Sequence, residues 1–136
     1  MPNHEFGIVD DIMYGVDYVY YEPEKYNCIS VNDDLIGEII NVYIEEFKTL
    51  KTYAHSTTEP IYGLDYCGIT LIPPESLERF RNIIVSANSL YKSQEFDDLI
   101  DKIFNAMLEN KYLIHFGTWK FSNKFNDSYI RFSLEY

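Results

Sequence analysis

The residues best suited to chemistry are few, and their settings argue against turnover. Cys67, His115 and Asp65 supply the types needed for a nucleophile, a base and an orienting acid, and such sets are defined by geometry and not by chain order. Yet Cys67 opens the apolar run Cys67-Gly68-Ile69-Thr70-Leu71-Ile72, with no basic residue beside it to favour a thiolate. Cys67 and His115 therefore read as residues of buried strands. His4, His55 and His115 are far apart, and no pair has the i, i+4 spacing of a helical zinc motif. Asp33-Asp34 with Glu38 lacks the alternating ligands and the glycine of a calcium loop. The glycines at 7, 15, 37, 63, 68 and 117 never gather into a phosphate-binding loop. Carboxylates are abundant, but none makes a distinctive pair for glycoside chemistry. No cofactor and no metal is expected, and a small hydrolase is the least favoured class.

The elements that would position these residues follow from periodicity. Val16–Tyr21 and Tyr26–Val31 are rich in β-branched and aromatic residues and flank Glu22-Pro23-Glu24-Lys25, which predicts a hairpin. Asn32 or Asp33 caps a predicted helix to about Leu50, with its apolar stripe at Ile36, Ile40, Tyr43, Phe47 and Leu50. Residues 53–66 read as a loop with local extended structure. Residues 67–72 form a strand that stops at Pro73-Pro74, where a helix begins with Leu77, Phe80, Ile84, Ala87 and Tyr91 on one stripe. A third helix over about 95–110 carries Phe96, Ile100, Ile103 and Met107, and acids in its first turn suit the helix dipole. Tyr112–Phe116 and residues 129–134 read as strands. The expected class is α+β: a mixed sheet with about three helices packed on it, in one domain.

Charge then narrows the function. The 136 residues carry 22 acids and 11 Lys or Arg, for a net −11. Residues 1–66 hold 13 acids and 3 bases, while residues 67–136 hold 9 and 8, so the halves carry −10 and −1. With 17% aromatic residues this is not a disordered acidic tail. An acidic field repels phosphates, so direct nucleic-acid binding is not expected, and it speeds encounter with a basic protein. No membrane span and no signal peptide are expected, and both cysteines, Cys28 and Cys67, are expected reduced and buried in a cytoplasmic protein. The first half mixes acids with tyrosines, a combination suited to an interface. The candidate partner-binding residues are Asp10, Asp11, Asp17, Tyr18, Tyr20, Glu22, Glu24, Asp34, Glu38 and Glu45.

The segment Cys67-Gly68-Ile69-Thr70-Leu71-Ile72-Pro73-Pro74-Glu75-Ser76-Leu77, a helix pair, and Asn110-Lys111-Tyr112-Leu113-Ile114-His115-Phe116-Gly117 together resemble small bacterial immunity proteins. These are the proteins encoded beside the toxins of contact-dependent growth inhibition and related polymorphic toxin systems. The resemblance covers about half the chain and carries over no functional residue. It implies a non-enzymatic antitoxin, monomer or homodimer, that neutralises one cognate toxin domain, often a basic nuclease. The alternative is an acidic chaperone for a secreted effector.

Overall fold

The computed structural model describes residues 2–118 and the backbone of residues 132–133. The chain enters as β1 (Asn3–Val9) and crosses a long connection to β2 (Ile29–Asn32), which pairs with it antiparallel. The broken helix α1 (Asp33–Val42) and α2 (Ile44–Lys48) follows, then β3 (Lys51–Ala54), β4 (Pro60–Tyr62) and β5 (Ile69–Ile72). Two long helices, α3 (Pro74–Tyr91) and α4 (Gln94–Glu109), lead to β6 (Tyr112–Phe116), and β7 (Phe132–Ser133) pairs with β4. The strand order is β2-β1-β6-β5-β3-β4-β7, and every pairing is antiparallel. The α+β class holds, and among the described strands the sheet is antiparallel and not mixed.

The three helical segments read from periodicity are present. Asn32 caps α1 through its side-chain oxygen, which accepts the Asp34 amide at 2.7 Å. The stripe Ile36, Ile40, Phe47 and Leu50 is buried as expected. The helix is interrupted at Tyr43, however, whose backbone leaves helical geometry (φ −108°, ψ 35°). Pro74 opens α3, and Ser93 caps α4 by accepting the Glu95 amide at 3.1 Å. Leu77, Phe80, Ile84, Ala87, Phe96, Leu99 and Ile103 meet Phe6, Val31, Ile72 and Leu113 in one core between helices and sheet.

The predicted hairpin is the main correction. Residues 16–21 form no strand, and β2 pairs instead with the N-terminal residues 3–6. Residues 10–28, with a single 3-10 turn at Pro23–Tyr26, run as a strap over the sheet face that the helices leave open. On that face Val9, Ile69, Leu71, Ile114 and Phe116 are buried, and Ile12, Tyr18, Tyr26 and Cys28 of the strap pack against them. Tyr21 and Tyr26 approach the Phe116 ring at 5.1 and 5.9 Å between centroids, contacts worth about 0.5–1.5 kcal/mol each beyond the area they bury. The strap lies so close that a Cβ on Gly7 would sit 2.7 Å from Cys28 Sγ and from the Tyr26 carbonyl oxygen. Gly7 is required by that crossing.

The loop expected over 53–66 holds the local extended structure allowed for it, the end of β3 and all of β4. One smaller correction concerns the cysteines. Cys28 and Cys67 lie in connecting segments and not in strands, half-buried and buried on opposite sides of the sheet. Of the expected strand 129–134, only 132–133 fall within the described residues. No helix among the described residues is long and apolar enough to cross a membrane.

Candidate functional site

The candidate acids and tyrosines divide between two sides of the sheet. Asp10, Asp11, Asp17, Tyr18, Tyr20, Glu22 and Glu24 come together on the strap. Asp34 and Glu38 lie on the outer side of α1 and Glu45 on α2, across the sheet from the strap. Glu38 lies against the Tyr91 hydroxyl at the end of α3, and Glu45 approaches Lys48 at 3.7 Å. The structure therefore brings together seven of the ten candidates and separates the other three.

The strap presents its outer side chains from a fixed backbone. The Tyr18 amide donates to the His55 carbonyl oxygen at 2.6 Å, and the Gly15 amide to Thr57 Oγ1 at 3.0 Å. The Met13 amide donates to the Tyr18 hydroxyl at 2.9 Å, and the Tyr21 hydroxyl to the Gly117 carbonyl at 3.2 Å. Tyr18 is half-buried and packs inward against the sheet face. Met13, Tyr14, Val16, Val19 and Tyr20 face solvent, with Tyr14 72% and Tyr20 75% exposed. A strand over 16–21 would have turned part of this set inward. Between residues 10 and 24 the strap carries five acids and no base. Lys111 reaches Asp10 at 2.9 Å, Asp17 approaches His55 Nδ1 at 3.3 Å, and Glu22 approaches Lys25 at 3.7 Å. Asp11 and Glu24 are exposed.

A second constellation escaped sequence reasoning and lies on the helix-covered face. His4 of β1 and His115 of β6 are fully buried, with His4 Nδ1 2.8 Å from His115 Nε2. His4 Nε2 lies 2.9 Å from Asp33 Oδ1 at the start of α1, and the Tyr66 hydroxyl donates to the same carboxylate oxygen. At the other end His115 Nδ1 lies 3.3 Å from Thr70 Oγ1 of β5, whose oxygen accepts the Asp65 amide at 2.8 Å. Four side chains thus form one polar row across adjacent strands, with Tyr66 closing its outer end.

Burial, only partly offset by the hydrogen bond and charge of Asp33, holds the His4 imidazole below its ordinary pKa. Burial, and then the neighbouring His4, holds His115 well below it. Burial alone would raise the Asp33 carboxyl, but the bonds from His4 and Tyr66 outweigh it and keep the group below the usual carboxylate value. The order Thr, His, His, Asp has the form of a nucleophile activated by an oriented base. Thr70 and His115 have no exposed surface, so a substrate does not reach either from solvent. Cys67 is also buried, and Cys28 is pushed up to about 12 by burial and by Glu5. Thiolate chemistry is disfavoured there.

Among the described residues no group of three or more His, Cys, Asp or Glu is placed to hold a metal ion. A groove of about 240 Å³ between α2 and α3 is lined by Tyr43, Glu46, Arg79, Asn82, Ile83 and Ser86. Its guanidinium is engaged by the Thr49 carbonyl at 2.7 Å. No family model, curated protein or solved structure matches this chain.

Proposed function

We propose that this protein is a cytoplasmic antitoxin of the immunity type, which binds a folded basic toxin domain through the strap and blocks it by occupation. One observation carries the reading. Met13, Tyr14, Val16, Val19 and Tyr20 stand exposed within eight residues, interspersed with and flanked by acids, on a backbone pinned to the β3–β4 connection. Exposed apolar side chains gathered in one segment mark an interaction surface, whereas singly scattered ones need no explanation. Tyrosine supplies large contact area at low entropy cost. The surrounding acids favour a basic partner and raise its encounter rate. A basic surface of that kind is what a nuclease uses to hold phosphates. The resemblance of residues 67–77 and 110–117 to immunity proteins supports the same reading.

Inhibition by occupation is stoichiometric. With the product of the adjacent toxin gene, activity in vitro should fall linearly to zero near one equivalent, and co-expression should restore growth. Toxin left fully active at about tenfold excess, far above any useful dissociation constant, would refute the assignment. Complete inactivation well below one equivalent would refute occupation as the mechanism.

A further inference from the structure

We propose that the Thr70–His115–His4–Asp33 row is an acid-operated latch, which fastens the start of α1 and the 63–68 loop to the sheet only while both rings are neutral. The inference concerns the protein alone and does not rest on the binding reading above.

The proton inventory of the row leads to it. An ionised carboxylate only accepts, so Asp33 requires the hydrogen of His4 on Nε2. His4 Nδ1 is then an acceptor, which requires the hydrogen of His115 on Nε2. His115 Nδ1 in turn accepts, and Thr70 must donate its hydroxyl hydrogen to it while its oxygen receives the Asp65 amide. One proton arrangement satisfies every member.

An added proton can be placed only by disturbing this row. On Nδ1 of either ring it would face the donor already bonded there. Reversing the row would aim His115 Nδ1–H at Thr70 Oγ1 and force that hydroxyl to turn its own hydrogen away. A half-satisfied buried network costs more than an apolar one. The rings pack against Phe6 and Tyr66, with His115 4.9 Å and His4 4.8 Å from those ring centroids, so water is excluded from them.

The ionisable groups around the pair offset burial only in part, Asp33 favouring a charged His4. They are Asp33 and Asp34 at the head of α1, Glu95 of α4 on the Asn32 amide, and Asp65, Tyr66 and Cys67 in the loop. Asp33 is already bonded to His4 and Tyr66. The loop that the latch holds is zipped on its other side to residues 117–118, where Gly117 N donates to Gly68 O at 2.8 Å and Thr118 N to Tyr66 O at 2.9 Å. A Cβ on Gly117 would lie 2.2 Å from the Tyr66 carbonyl oxygen, so the loop packs directly on the backbone there.

The sign of the pH effect follows. Both folded-state pKa values lie below the ordinary 6.5, so the unfolded chain binds protons that the folded one does not. The stabilisation is complete above about pH 6.5 and is lost as the pH falls through the folded values. Each ring raises the unfolding constant by at most about tenfold per pH unit between 6.5 and its own folded value. Glu5, held above its ordinary value by burial on the other face, works in the opposite sense. It is common to wild type and variant and drops out of their difference.

Two measurements on the isolated protein test the latch. Imidazole 15N spectra at neutral pH should show both rings neutral with hydrogen on Nε2. A charged ring, or hydrogen on Nδ1 of either ring, overturns the proposal. Denaturation midpoints between pH 6.5 and 5 should fall steeply for the wild type and far less for His4→Gln/His115→Gln, whose amides do not titrate. A wild-type profile flat over that window overturns it as well. If the double variant does not fold, the ring spectra and the wild-type profile decide.

Discussion

At the scale of single residues, burial decides which groups react. The two thiols show this, since both are shielded, and at Cys28 burial outweighs the lowering effect of Lys102. Cys67 is buried beneath the helices, while Cys28, at the end of the strap, is half-buried against the sheet with Glu5 adding unfavourable charge. A thiol near 12 is overwhelmingly protonated at pH 8, and the thiolate is the nucleophile. Native protein should therefore label with iodoacetamide many times more slowly than a free thiol, and both cysteines should label promptly once unfolded. Rapid labelling of Cys28 in the native state would show that the strap is not seated as described. The burial of Cys67 was legible, because it opens an apolar run. The polar row was not: His4 and His115 are 111 positions apart, and His4 and Asp33 29 apart. Their meeting depends on strand order, which local pattern does not encode.

At the scale of elements, the long helices were the most legible part because a 3.6-residue stripe survives whatever it packs against. Ile36, Ile40, Phe47 and Leu50 are all buried, even though the helix breaks at Tyr43. The strap was misread for a physical reason. Val16–Tyr21 has strong β propensity, but such propensity reflects fit to a packed, half-buried surface more than backbone preference. Here Tyr18 and Tyr21 use that fit to cover a sheet, while the Tyr18 amide bonds to the His55 carbonyl outside any ladder. β1 was missed because His4, Glu5 and Gly7 make it look polar, although His4, Phe6 and Ile8 share one face. Gly7 is where the strap and β1 touch. Gly7→Ala would push a methyl into Cys28 Sγ and the Tyr26 backbone, both at 2.7 Å. Overpacking of that kind costs about 1–3 kcal/mol, readable as a lower urea midpoint at unchanged slope. A change below about 0.5 kcal/mol, the range of ordinary surface substitutions, would mean the strap lifts away easily.

At the scale of the whole molecule, the sheet separates two acidic surfaces that the sequence presents as one charge-rich half. Residues 1–66 carry −10, but Asp34, Glu38 and Glu45 face away on the helical side while the strap acids face the other. The strap combines its charge with exposed Met13, Tyr14 and Tyr20. Charge steers encounter, whereas buried aromatic anchors hold the complex once formed. Under the proposed function, three variants therefore separate in kinetics with the toxin partner. Asp11→Lys/Glu24→Lys should slow association and flatten its dependence on salt, leaving dissociation nearly unchanged. Tyr14→Ala/Tyr20→Ala should do the reverse, speeding dissociation by about thirtyfold or more, since each truncated anchor at an interface centre costs on the order of 1–2 kcal/mol. Glu38→Lys/Glu45→Lys lies beyond the sheet, where a screening length of about 8 Å at physiological salt leaves little of its field. It should change neither rate much under those conditions. If the helix pair alters association more than the strap pair does, the partner docks on α1 and α2, and the strap is only the cover of the open sheet face.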